Sequence, residues 1–180
     1  MKKILIPPIE MLSIVAAQDV KLQENIPEMS IYRTEERDDM TKKVRTEITR
    51  LRELNYSCSQ ATMLGICRVL GSSLTEQQIM ALSTGFRGGI GRSYNEGTCG
   101  ALSAGIMALG IFLPEENEKT IALSKELFDH FKQEYGTVIC GNIVQKHCFF
   151  RCTGCCLCIG SKVTELLQRE KAEINTVKTL

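Results

Sequence analysis

Cys99-Gly100-Ala101-Leu102-Ser103-Ala104-Gly105-Ile106-Met107-Ala108-Leu109-Gly110-Ile111-Phe112 is the stretch that decides the fold. It carries no charge, and glycine, alanine and serine recur along its whole length. A helix apolar on every side is a buried one, and small side chains let its neighbours approach closely. Such a helix can serve a dimer interface as readily as an internal one. Its longest apolar run, Ala101 to Leu113, is shorter than the roughly eighteen residues a membrane span needs.

Working outward, the flanking segments are helical too. From about Thr34, Met40, Val44, Ile48, Leu51 and Leu54 recur at three- and four-residue spacing among charged residues. Asn55-Tyr56-Ser57 offers a break and an N-cap, followed by a helix with Ala61, Leu64, Cys67 and Val69 that Gly71 ends. Ser73-Leu74-Thr75-Glu76 reads as a capping box before a third helix through Ile79, Met80 and Leu82. A glycine-rich loop, Gly85-Phe86-Arg87-Gly88-Gly89-Ile90-Gly91-Arg92, then leads to Cys99. Phosphate cradling would call for a preceding strand and a Gly-Lys-Ser/Thr, and neither is present. Turns that press backbone against a neighbouring helix or a cofactor fit better.

Beyond Pro114, a helix from about Glu116 to Tyr135 places Ile121, Leu123, Leu127, Phe128 and Phe131 on one side and stops at Gly136. A short segment with Cys140, a cysteine-rich run and a last helix with Val163, Leu166 and Leu167 complete the chain. No segment alternates as a strand does. The expectation is an all-α fold, a compact bundle of about five to six helices. It would carry the glycine-rich loop and a cysteine-rich C-terminal loop. Residues 1–33 read as a loosely ordered extension, 34–172 as the helical domain and 173–180 as a polar tail.

The chain is 43% hydrophobic and 24% charged with net charge +1, the composition of an ordinary soluble protein. Near-neutral charge and the absence of Trp argue against nucleic acid as a partner. No span for a membrane is expected. The opening Met1-Lys2-Lys3-Ile4-Leu5-Ile6 is cut short as a secretion signal by Pro7, Pro8 and Glu10. Nine cysteines cannot all pair within one chain, so thiols held reduced in a cytoplasmic setting are expected.

Five of those cysteines fall in His147-Cys148-Phe149-Phe150-Arg151-Cys152-Thr153-Gly154-Cys155-Cys156-Leu157-Cys158. Cys152, Cys155 and Cys158 stand at Cys-x-x-Cys-x-x-Cys spacing, which in a compact turn points three thiolates at one centre, as in iron–sulfur or zinc ligation. Zinc takes four thiolates, fewer than are offered here, and two separated Cys-x-x-Cys pairs are missing. Cys58 and Cys99 each stand at a helix start, where the macrodipole favours a thiolate. Cys67, inside an apolar helix face, reads as a small hydrophobe. His130 is expected on a helix surface, and His147 is a weaker ligand candidate. Glu96 and Asn95 read as solvated loop residues. No Ser–His–Asp order or carboxylate pair stands out, so no catalytic residue is assigned.

Several ordered motifs resemble the C_GCAxxG_C_C family of putative redox-active proteins. They are Asn55-Tyr56-Ser57-Cys58-Ser59-Gln60-Ala61, Gly85-Phe86-Arg87-Gly88-Gly89-Ile90-Gly91 and Cys99-Gly100-Ala101 with Gly105 and Met107-Ala108-Leu109-Gly110. Phe131 through Tyr135-Gly136 to Cys140, and Cys155 before Ile159-Gly160, look like its later positions. The likeness spans about residues 40–170. The chain reads Cys-Gly-Ala where the family label reads Gly-Cys-Ala, and its spacer between Cys140 and Cys155 is short and cysteine-rich. The resemblance implies a small helical domain whose four signature cysteines match Cys58, Cys99, Cys140 and Cys155. A related domain in split-Soret cytochromes is accompanied by an iron–sulfur centre, which makes a cluster the leading cofactor.

The expectation is therefore a redox-active protein. It would bind an iron–sulfur cluster or other metal through Cys58, Cys99, Cys140 and Cys155, with Cys152 and Cys158 as further ligands. It would act in electron transfer or redox sensing with a partner protein whose identity is open. A metal-free thiol–disulfide oxidoreductase and a zinc-stapled interaction module are the alternatives.

Overall fold

The computed structural model describes the backbone of residues 28–147 and 151–177, and side chains over 38–145 and 152–172. Most of the N-terminal extension (1–27), Cys148 and the side chain of His147 lie outside the described residues. The chain divides into two units, 1–36 and 37–180. Of the first, only a helical stretch from Glu28 is described. All nine cysteines belong to the second.

Seven α-helices form among the described residues: α1 (Glu28–Glu53), α2 (Cys58–Leu70), α3 (Glu76–Thr84), α4 (Gly100–Phe112), α5 (Asn117–Tyr135), α6 (Cys140–His147) and α7 (Arg151–Val177). No strand is present among them, and the architecture is all-α. Three differences from the sequence reading stand out. The first helix begins at Glu28 rather than near Thr34. The segment holding Cys140 is a helix of its own, α6. Cys152 to Cys158, expected in a loop, occupy the first turns of α7.

The helix ends follow from local chemistry. Ser57 caps α2: its hydroxyl accepts the Gln60 amide at 3.3 Å, and the Gln60 side chain accepts the Ser57 amide at 3.1 Å. Gly71, at φ 77°, adopts the left-handed turn that ends the helix. The capping box of α3 is Thr75 with Gln78, two residues later than the Ser73–Glu76 match in the sequence. Both pairs satisfy the pattern, but the chain leaving Gly71 is still turning through Ser73, with the Leu74 amide held by Ser72 at 3.1 Å.

At the centre, α2, α4 and α7 pack on one another, with α5 against α4 and α7, and α3 against α2. The small-sided α4 packs inside the bundle, one of the two placements its sequence allowed. A side chain at Gly105 would run into Ile159 and reach within 3.1 Å of Leu127 and 3.2 Å of Val163. On α1, Ile48 is fully buried because Gly65 of α2 and Gly160 of α7 leave room for it. Leu54, Leu82 and Ile121, assigned to apolar faces by periodicity, are exposed instead. They sit where the apolar stripes of their helices run past the end or edge of the core. No helix is long and apolar enough to cross a membrane among the described residues.

Candidate functional site

The site is assembled by main chain before any sulfur is considered. Thr98 and Ile139 form an isolated antiparallel bridge. The Cys99 amide donates to the Val138 carbonyl at 2.8 Å, and the Cys140 amide to the Gly97 carbonyl at 2.9 Å. Two cysteines forty-one residues apart thus enter their helices, α4 and α6, side by side. The glycine-rich loop packs over this junction. Gly88 and Gly89 hold φ of 66° and 75°, which glycine adopts freely. A side chain at Gly97 would lie 2.5 Å from the Ile90 amide nitrogen, and one at Gly100 would lie 3.0 Å from the Cys58 sulfur. Asn95, on the same loop, is exposed but lies over Gly141 of α6, while Glu96 is a solvated loop residue as expected.

Cys58, Cys99, Cys140, Cys152 and Cys155 line one small cavity, together with Ile143 and Val144 of α6. They come from the start of α2, the N-cap of α4, the start of α6 and the first turns of α7. All are buried but Cys152, which is partly so. The space between them is about 10 Å³, room for roughly one water.

The electrostatics single out Cys99. Its pKa is lowered to about 7, first by the hydrogen bond from Cys155 and then, against burial, by the amides of Ala101 and Leu102 at the start of α4. Those amides face the sulfur without completing a capping hydrogen bond. Cys155 stays protonated, its pKa raised because its proton is donated to Cys99 and because it is buried. The Tyr135 hydroxyl in turn hydrogen-bonds Cys155, partly offsetting that rise. Cys58, expected to ionise at its helix start, does the opposite. Its pKa is raised first by the hydrogen bond it makes to Cys152 and then by burial, and the Gly88 amide offsets only part of this. Cys152 is pushed up to about 12, led by its hydrogen bond with Cys156, and Cys140 to about 11, led by burial. One charge among five thiols is what a low-dielectric cavity tolerates.

The remaining cysteines divide differently. Cys67 is buried in the α2 core, with its pKa raised to about 11 by burial, and behaves as the small hydrophobe expected. Cys156 is fully buried and directs its thiol to the Cys152 carbonyl at 3.1 Å. Cys158 does not line the cavity. Six residues along a helix turn it about 120° from Cys152, and its sulfur lies 3.6 Å from Nε2 of His130. His130 is therefore not a free surface residue, as its position on α5 had implied.

Five thiols facing one space, with no carboxylate on the cavity wall among the described residues, is a donor set suited to a soft metal or an iron–sulfur cluster. Among the described residues, no three His, Cys, Asp or Glu side chains stand ready to hold a metal ion. As closed here, the cavity does not hold a polyatomic cluster unless the sulfurs turn outward.

A family profile described as putative redox-active protein, C_GCAxxG_C_C, matches residues 56–169. The chain belongs to that family. The C_GCAxxG_C_C match starts just before α2 and ends within α7, so it contains every cavity cysteine and leaves all of α1 outside. No curated protein and no solved structure matches the chain. Tyr135, Arg52 and Arg87 also border the sulfurs or their approach. Arg87 and Tyr135 fall inside motifs of the family likeness that mark no role for either, and Arg52 falls in none.

Proposed function

We propose that the five-thiol cavity is a redox centre that exchanges single electrons through an iron–sulfur cluster. Cys58, Cys99, Cys140 and Cys155 would hold it, with Cys152 in reserve. The observation that supports this is the convergence of these cysteines from α2, α4, α6 and α7 on one small space. Thiolates are the ligating form, so loading would release protons from the three protonated ligands, Cys58, Cys140 and Cys155, and Cys99 would be the first to bind. Bound there, a cluster would supply one-electron chemistry at a potential set by hydrogen bonds to its sulfurs and by burial. The chain's own part is to exclude water with Ile143 and Val144 and to direct the Gly88 amide and the Tyr135 hydroxyl at sulfur.

A second reading rests on a separate observation: Cys99 and Cys155 are already hydrogen-bonded, with Cys99 biased toward thiolate and Cys155 toward thiol. That is the asymmetry of a dithiol that cycles to a disulfide. Metal analysis on protein prepared without oxygen separates the two. Iron with sulfide supports the cluster, whereas a metal-free protein with a reversible Cys99–Cys155 disulfide, found by peptide mass mapping, supports the dithiol. Zinc alone, with no redox response, would leave neither standing.

A further inference from the structure

Outside the sulfurs lies a cleft of about 300 Å³, within the size range of small-molecule sites. Cys58, Cys140, Cys152 and Val144 belong to both its wall and the wall of the inner cavity, so the cleft opens directly onto the thiols. Arg52 of α1 and Arg87 of the glycine-rich loop line it, and among the described residues no carboxylate does. Because the chain's net charge is only +1, this local excess is not a by-product of a generally basic protein.

The two arginines are prepared differently. Arg52 is held in place by the Tyr56 carbonyl at 2.5 Å and the Thr153 hydroxyl at 3.4 Å. Arg87 makes no side-chain hydrogen bond or ion pair among the described residues, so its whole guanidinium fork is free. Tyr56 and Tyr94 add ring surface to the same wall. Among the described residues, a depression of about 570 Å³ along Lys42, Glu47 and Arg68 pairs Arg68 with Glu47 at 2.7 Å, and one of about 340 Å³ runs along Arg92 to Glu96; neither is lined by a described cysteine.

We propose that this cleft binds a small organic oxyanion, a carboxylate or phosphate on a single ring-sized body. The charged group would lie against Arg87 and Arg52, and the body against the tyrosine rings. Arginine recognises either oxyanion through paired N–H donors. Its place as the molecule that trades electrons with the thiols rests on the redox reading above, whereas the binding itself does not.

Calorimetric titration of the full chain with benzoate, phenyl phosphate, benzamide and benzylamine tests this. Benzoate or phenyl phosphate binds, the tighter of the two identifying the preferred oxyanion, and the uncharged and cationic analogues do not. Arg87→Gln weakens that binding roughly ten- to hundred-fold, the range for a charge-assisted hydrogen-bonding pair. Lys132→Gln, which does not line the cleft, leaves it unchanged. Equal binding of benzamide, no binding of either anion, or unchanged affinity in Arg87→Gln overturns the proposal. Running the titration alongside metal analysis keeps the two readings apart: an iron-containing protein that ignores anions loses only the cleft, and anion binding to a redox-silent protein loses only the centre.

Discussion

The amide of Cys140 donates to the carbonyl of Gly97 at 2.9 Å, two residues before Cys99. This bond, with its partner from Cys99 to Val138, brings the starts of α4 and α6 together and sets two sulfurs on one cavity. Gly97 can occupy the position because it has no side chain: a Cβ there would stand 2.5 Å from the Ile90 nitrogen and 2.9 Å from the Gly89 Cα. Both are main-chain atoms that cannot swing aside. Gly97→Ala should cost about 1–3 kcal/mol, the range for overpacking. Urea unfolding measures it, and a cost below about 0.5 kcal/mol, typical of neutral surface changes, would mean that the junction is loose.

Tyr135 tests the tuning of the site. Its hydroxyl donates toward Cys155, and such a bond stabilises the more electron-rich state of a sulfur or of a cluster it ligates. Tyr135→Phe should therefore move the reduction potential in the negative direction while leaving the helical circular-dichroism signal in place. Voltammetry reads the shift. A potential that stays put or moves positive would show that the hydroxyl plays no part in the chemistry.

The charge on Cys99 makes a pH prediction. In reduced, metal-free protein, one thiol should ionise near pH 7, the rest of the cavity staying protonated to about pH 11 or beyond. Cys99 has a folded pKa below its unfolded one, near 9. It therefore adds stability above about pH 9, and that contribution is lost as pH falls through 7. Ultraviolet thiolate absorbance should show the early step in the wild type and lack it in Cys99→Ser. A step that survives the substitution would assign the charge to another sulfur.

The sequence was most informative where a single residue carries the physics. Ser57, Gly71 and Gly136 mark helix ends by capping and left-handed turns, and all three are found as expected. The crowding of small residues on α4 likewise announced a central helix. Cys152 to Cys158 misled because they were read by ligand spacing rather than by burial. Counted as small hydrophobes, Cys155 and Cys156 extend the stripe of Ile159, Val163, Leu166 and Leu167 backward by a turn, and the helix becomes visible. That Cys58, Cys99 and Cys140 meet Cys155 was legible only through the family likeness, since the bridge between Thr98 and Ile139 depends on tertiary pairing, whereas the Cys-x-x-Cys spacing alone pointed to Cys152 beside Cys155. The pairing of Cys158 with His130 had no local signal at all.

Away from the sulfurs, Glu47 joins α1 to α2 through Arg68 at 2.7 Å and also pairs with Arg50. These partners, Arg50 foremost, lower its pKa to about 2. A depressed carboxylate pKa gives stability that is full above the unfolded value near 4.5 and is lost as pH falls through 2. Glu47→Gln should cost about 1 kcal/mol at neutral pH, after allowing for solvent screening, and nothing below pH 2. A cost that persists unchanged in strong acid would point to packing rather than charge.

Ligation and packing predict opposite outcomes for two serine substitutions on α7. Cys155→Ser should abolish the centre, whereas Cys158→Ser, off the cavity and beside His130, should leave its content intact. Iron retained by Cys155→Ser and lost by Cys158→Ser would move the site to the other face of the helix.

The most direct measurement is the iron, acid-labile sulfide and visible spectrum of protein reconstituted without oxygen. A redox centre held by the converging thiols predicts bound iron and sulfide with broad absorption toward the blue end of the visible range, bleached on reduction and missing in Cys99→Ser. Protein that remains colourless and iron-free after the same treatment would contradict it.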